Sequence, residues 1–217
     1  MKVSTDSLIL GSYVPVAGVC RALDLGTGSG LLALMLAQRQ PMLRVDAIDA
    51  DQDAVAQARE NFIASPWPER MTSYLADVAS WQASQNYDLI ICNPPYFPQH
   101  LASATAAREM ARQGLAPVTA WLACVLRNLS PSGQFYWVVP AAQKTPRTEA
   151  ATACGLQLRD ELLVYSTLRK GPRLVIQGWQ REPCQHVQQR ELVIHAGKGY
   201  SAEFRRLTGE FYLAGSG

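Results

Sequence analysis

Three glycines at alternate positions, Gly26, Gly28 and Gly30, stand between the strand-like residues 21–25 and the apolar run of residues 31–36. Glycine adopts backbone angles that other residues avoid, and without a Cβ it lets a chain or a ligand come close. A short strand, a tight turn and an apolar helix in that order open a parallel sheet covered by helices. The rest of the chain keeps the rhythm. Residues 43–48 predict a second strand and residues 53–62 an amphipathic helix. Strands are predicted at 71–75 and 87–92, and a helix at 119–128 stops before the turn cluster Ser130-Pro131-Ser132-Gly133. Residues 134–139 are a fifth strand ending at Pro140. Residues 156–166 and 173–180 flank Arg169-Lys170-Gly171-Pro172 and read as a hairpin; 191–195 is a further strand or an extended return, and 201–208 a short last helix.

At 217 residues the chain suits one α/β domain spanning 1–217. Residues 1–20 form a leading segment, 21–140 the core, and 141–217 the last strands and a basic surface. Five cysteines lie far apart without a C-x-x-C pair, so neither a metal-ligand set nor a disulfide framework is expected. No apolar stretch reaches the roughly 18 residues of a membrane span. The expected setting is the cytoplasm. Residues 1–143 carry 9 Lys/Arg against 11 Asp/Glu, whereas residues 144–217 carry 11 against 7, so positive charge gathers near the end. That distribution fits a nucleic-acid partner and a solvated face about equally.

The strand ends carry the chemistry. Asp24 precedes the glycine turn. Asp49 closes the second strand, about 20 residues on, where a carboxylate can accept both hydroxyls of a ribose. Asp77 follows the third strand, placed to meet an adenine amino group; Asp51 competes with Asp49 for the ribose, and Asp49 is preferred as the nearer to the strand end. Any one of these aspartates is more often a cap or turn residue. Together they outline an adenosine-bearing ligand. After the fourth strand come Asn93, Pro94, Pro95 and Tyr96. Two prolines end the strand and fix the loop, which then offers one amide, carbonyls and one aromatic face. Such a loop can accept hydrogen bonds from a planar amino group while the ring stacks on its carrier.

The turn 24–30, Asp49, Asp77 and Asn93–Tyr96 together resemble the Rossmann-like methyltransferases that use S-adenosyl-L-methionine, and the Asn-Pro-Pro-Tyr loop resembles the mark of members that methylate amino nitrogens. The resemblance implies a single Rossmann-like domain with a mostly parallel seven-stranded sheet, an antiparallel hairpin at its C-terminal end, and helices on both faces. It further implies that Asp24, Gly26, Gly28, Gly30, Asp49, Asp77 and Asn93 bind the cofactor. Residues 2–11, Ser65-Pro66-Trp67, Asn93–Phe97 and the closing Tyr200-Ser201-Ala202-Glu203 and Phe211-Tyr212-Leu213 are similar to bacterial methyltransferases acting on an adenine of a valine tRNA. That family converts adenine 37, on the 3′ side of the anticodon, to N6-methyladenine. Its members generally carry an extra amino-terminal stretch, whereas Met1 falls inside the matching segment here.

On that footing Asn93 and Pro94 accept the two amine hydrogens, Tyr96 stacks on the base and Phe97 extends the platform. Arg169, Lys170 and Arg173 meet phosphates, with Lys198, Arg205 and Arg206 a second cluster. Thr5 or Asp6 closes over the donor or caps a helix ahead of Leu8. His100, His186 and His195 have no ligand spacing. The expected partner is the anticodon arm of a tRNA, bound by a monomer or weak dimer without metal or membrane. Three other readings stay open: glutamine-amide methylation of a release factor, guanine-N2 methylation of ribosomal RNA, and an idle RNA-binding subunit. The release-factor enzymes usually carry an amino-terminal helical domain, which residues 1–20 cannot supply.

Overall fold

Successive residues of a strand point to opposite faces, so strands apolar throughout need cover on both sides. The computed structural model, which describes residues 4–94 and 117–211, supplies it. Helices α1 (Thr5–Tyr13), α2 (Leu31–Arg39), α3 (Gln52–Ile63) and α6 (Ala202–Thr208) contribute to one core. Helices α4 (Val118–Asn128) and α5 (Lys144–Ala153) contribute to the other. Alternation divides the strands between them. Leu23 and Leu25 of β1 (Arg21–Leu25) and Ile90 and Cys92 of β4 (Tyr87–Cys92) face α4, as do Phe135, Trp137 and Val139 of β5 (Leu129–Pro140). Ala22, Leu89, Ile91, Tyr136 and Val138 face the opposite way.

The remaining strands are β2 (Arg44–Asp49), β3 (Met71–Leu75), β6 (Gln157–Tyr165), β7 (Leu174–Gln180) and β8 (Gln188–Val193). Their order in the sheet is β3-β2-β1-β4-β5-β7-β6-β8. Every neighbouring pair is parallel except the two that involve β7. The chain leaves β1 toward β2 and β3, then returns to place β4 on its other side. The crevice at such a reversal is where open α/β sheets bind ligands.

Several expectations are corrected. The sheet has eight strands rather than seven. The eighth, β8, overlaps the further strand or return read at 191–195 but starts at Gln188; it pairs in parallel with β6 at the far edge, and its Gln188-Gln189-Arg190-Glu191 segment is exposed. An edge strand with one solvated side needs no apolar alternation, so its start is invisible to hydrophobic pattern. The fifth strand begins at Leu129, and Ser130–Gly133 bulges out within it: Tyr87 faces Leu129 while Leu89 faces Gln134. The hairpin expected at residues 156–180 is the β6–β7 pair. Residues 195–200 instead make a small separate hairpin, β9 (His195–Ala196) with β10 (Gly199–Tyr200).

Helix α1 is capped by Ser4 rather than by Thr5 or Asp6, because the Ser4 hydroxyl accepts from the Ser7 amide at 3.1 Å. Ile9 and Leu10 fasten it to the core, both wholly buried. Truncating either to alanine is expected to cost about 2–5 kcal/mol.

Candidate active site at the carboxyl edge of the sheet

β1 ends in the glycine turn, and β2 holds that turn in place. The Gly26 and Thr27 amides both donate to the Ile48 carbonyl, at 2.9 and 3.0 Å. Gly26, Gly28 and Gly30 have φ of 69°, 55° and 81°, the left-handed region. At Gly30 a Cβ would also meet Phe62 at 2.5 Å, and at Gly26 it would meet Trp121 at 2.8 Å. Glycine is therefore required there by both backbone and packing.

Asp24, wholly buried, accepts from the Thr27 hydroxyl at 2.6 Å through Oδ2. Its Oδ1 has no partner at hydrogen-bond geometry, although the Ala33 amide lies near enough to ease its charge. Burial pushes the carboxyl up to about 7; Thr27 and Ala33 pull it back, and the charge of Asp49 adds to the rise.

Asp49, at the tip of β2, faces the turn: Oδ2 accepts from the Gly28 amide at 2.9 Å and Oδ1 from the Asp51 amide at 3.0 Å. Asp51 caps α3, accepting from the Asp53 amide at 2.8 Å. The two acids thus stand apart, Asp49 against the glycine turn and Asp51 on the helix. Asp77 is exposed just past β3, and its Oδ1 accepts from the Ala79 amide at 2.8 Å in a local turn.

Asn93 follows Cys92, which pairs with Leu25, so the asparagine emerges beside the first residue of the glycine turn. Its Nδ2 donates to the Ser7 hydroxyl of α1 at 2.8 Å. Pro94 comes next; Pro95, Tyr96 and Phe97 lie outside the described residues. Behind Asn93 and Pro94 is a small cavity whose walls include Trp121, Phe135, Trp137 and Arg147. The Arg147 guanidinium donates to Gln143 Oε1 at 2.9 Å, and burial lowers its pKa to about 10. Ser7 and Arg147 carry no signal in the sequence. Ser7 meets the corner only through a contact 86 positions away, and Arg147 sits in an ordinary polar helix.

The basic candidates separate. Arg169 and Lys170 are exposed in the β6–β7 turn. Arg173 lies at the foot of that turn and is bound to the buried Asp6 at 2.7 Å. Lys198 is exposed in the β9–β10 turn, next to a stack of His195 on Tyr200 and Tyr200 on Phe204. Arg205 and Arg206 are exposed on α6. The β6–β7 turn shares its edge of the sheet with Asn93, three strands away, or about 15 Å at the usual strand spacing. Among the described residues no three or more His, Cys, Asp or Glu side chains are grouped to hold a metal ion. Nor is any described helix long and apolar enough to cross a membrane.

This edge offers a glycine cradle, acids at successive strand ends and an amide corner. Solved methyltransferases share the fold. A predicted O-methyltransferase from Agrobacterium tumefaciens superposes with a TM-score of 0.68 at 19% identity, over 94% of this chain and 96% of its own. A glycopeptide N-methyltransferase solved with sinefungin superposes with a TM-score of 0.61 at 12% identity, over 84% and 96%. The family model described as methyltransferase small domain matches residues 2–148. Closer in sequence are two proteins named tRNA1(Val) (adenine(37)-N6)-methyltransferase. The one from Tolumonas auensis is 43% identical over 98% of this chain and 90% of its own length. The one from Klebsiella pneumoniae strain 342 is 41% identical over 98% and 89%. The chain belongs to the methyltransferase small domain family and to the family of the tRNA1(Val) (adenine(37)-N6)-methyltransferases.

Proposed function

We propose that the protein transfers a methyl group from S-adenosyl-L-methionine to N6 of adenine 37 in a valine tRNA. The observation that carries this reading is the position of Asn93, one residue past the Leu25–Cys92 pair and so directly beside the glycine turn. The residues present fit the donor. The turn has positive φ at three glycines, which bring no side chain into it, the Asp49 carboxylate borders it, and the buried Asp24 holds an oxygen without a hydrogen-bond partner. Asp49 would take the ribose hydroxyls, Asp77 the adenine amino group, and the Gly26–Gly30 backbone the methionine part. When bound, the donor supplies an electrophilic methyl on a sulfonium.

The exocyclic nitrogen of adenine is a poor nucleophile because its lone pair is delocalised into the ring. Asn93 Oδ1 and the Pro94 carbonyl would accept its two N–H bonds, allowing the nitrogen to pyramidalise with its lone pair toward the cofactor side. Pro95 would stiffen the loop. Tyr96, with Phe97 beside it, would stack on the base, a contact worth about 1–3 kcal/mol and sufficient to hold a nucleotide turned out of its loop. Alignment of nitrogen and methyl then supplies most of the acceleration. Arg169, Lys170 and Lys198 would meet phosphates of the anticodon arm.

The test uses labelled S-adenosyl-L-methionine, the purified protein and a valine tRNA transcript. Label should appear at adenine 37 and vanish when that base is replaced by guanine. Label elsewhere, or none, would reject the substrate.

A further inference from the structure

We propose that Ser7 is a positioning residue: it holds the Asn93 amide in the one orientation that turns its oxygen, rather than its NH2, toward the substrate amine. The inference rests on the role given above to Asn93.

An asparagine side chain has two faces of opposite hydrogen-bonding character, and a half-turn about its last bond exchanges them. An amine about to be methylated offers two N–H donors. Oδ1 can accept from it; NH2 would set donor against donor. A corner that draws density toward the amine therefore needs something to fix the rotation, and the proline that follows has no N–H to do it.

Helix α1 does. Asn93 Nδ2 donates to Ser7 Oγ at 2.8 Å. A second contact on Ser7 is compatible with that polarity. Ser4 Oγ accepts from the Ser7 amide at 3.1 Å as the helix cap, and its own hydroxyl donates to Ser7 Oγ at 3.0 Å. A serine oxygen has two lone pairs. One receives Ser4 and the other Asn93, so Asn93 Oδ1 is not used in this contact. Were the amide reversed, the Ser7 hydroxyl would donate to Oδ1 and compete with the substrate for it. The platform is firm. The residues after Ser7, Ile9 and Leu10, are wholly buried, and Asp6 before it is tied to Arg173 at 2.7 Å.

The experiment compares Ser7→Ala, Ser7→Thr and Asn93→Ala for kcat, KM for tRNA, donor affinity by calorimetry and thermal midpoint. Ser7→Ala should lower kcat roughly tenfold, the scale of one hydrogen bond, with donor affinity, KM and midpoint unchanged. Ser7→Thr, which keeps the hydroxyl, should restore most of it. In the ligand-free protein, the Asn93 side-chain amide signals in a nitrogen-15 spectrum should move in Ser7→Ala and stay near their positions in Ser7→Thr. Full kcat in Ser7→Ala beside an inactive Asn93→Ala overturns the role of Ser7 and leaves that of Asn93 standing. A kcat loss that follows a lowered midpoint and is not restored by threonine also overturns it. Appreciable turnover in Asn93→Ala removes the reading of the corner itself, and the proposal with it.

Discussion

The Arg173 guanidinium donates to Asp6 Oδ1 at 2.7 Å across 167 positions of chain, joining α1 to the start of β7. The aspartate is the buried partner, its side chain only 4% exposed against 48% for the arginine. Asymmetry of this kind makes the two halves unequal. Removing Arg173 leaves a carboxylate in a dry place without its strongest partner, whereas Asp6→Asn removes the charge as well. Arg173→Ala is expected to destabilise by about 1–3 kcal/mol, and more than Asp6→Asn, in urea unfolding. Equal losses would show that the pair is held together too weakly to matter.

The same pairing divides the basic turn. Arg169 and Lys170 have no ion pair among the described residues, whereas Arg173 already has Asp6. Affinity for tRNA should fall with salt, and each lost phosphate contact should reduce the slope by about 1. Arg169→Ala and Lys170→Ala are expected to flatten the plot of log affinity against log salt, and Arg173→Ala to change it least. A flattening led by Arg173 would reverse the assignment.

Asp24 makes stability depend on pH. Its carboxyl is raised from 3.8 to about 7 by burial, so the folded protein keeps a proton that the unfolded chain gives up between those values. Its contribution is full below 3.8 and is lost as pH climbs through about 7. Asp24→Asn stays neutral throughout. Relative to the parent, it should gain stability from pH 5 to pH 8 in chemical denaturation. A constant difference between the two proteins would mean that Asp24 ionises normally.

Asp49 borders the glycine turn through Gly28. Asp49→Ala is expected to weaken S-adenosyl-L-methionine by roughly one to two charge-assisted hydrogen bonds, about 1.5–3 kcal/mol each, in calorimetry. Asp51→Ala, which removes a helix cap, should lower stability by about 1 kcal/mol and leave donor affinity alone. Unchanged affinity in Asp49→Ala would refute its role at the ribose.

Two glycines separate backbone strain from packing. Gly30 and Gly155 have φ of 81° and 86°, yet a Cβ on Gly30 meets Phe62 at 2.5 Å and one on Gly155 meets nothing within 4 Å. Gly155→Ala should cost about 1–2 kcal/mol for the left-handed backbone. Gly30→Ala should add about 1–3 kcal/mol of overpacking. Similar thermal midpoints for the two variants would mean that Phe62 yields freely.

Much of this was legible in the chain itself. β1, β4 and the second half of β5 are largely buried on both faces and stop at a glycine or at prolines, so periodicity and punctuation agree on where they end. β8 was legible only in part, since its exposed Gln188–Glu191 segment has no apolar alternation to read. Ser130–Gly133 has turn chemistry and does turn, but inside a strand, because the neighbouring Tyr87 and Leu89 continue the ladder past it. Asp49 was preferred to Asp51 in the sequence as the nearer to the strand end, and it is Asp49 that accepts from the Gly28 amide while Asp51 caps α3. Ser7 and the Asp6–Arg173 pair were hidden for one physical reason: their significance lies in contacts 86 and 167 positions away, and a residue's neighbours in sequence say nothing about those.

Strand β7 runs against its neighbours, and so it brings the tip of the β6–β7 turn to the side where the parallel strands finish. The proposed grip and the proposed reaction centre therefore share one rim of the molecule while belonging to different stretches of chain. Charge placed on or taken from that turn should therefore change the hold on nucleic acid while leaving the asparagine corner as it is.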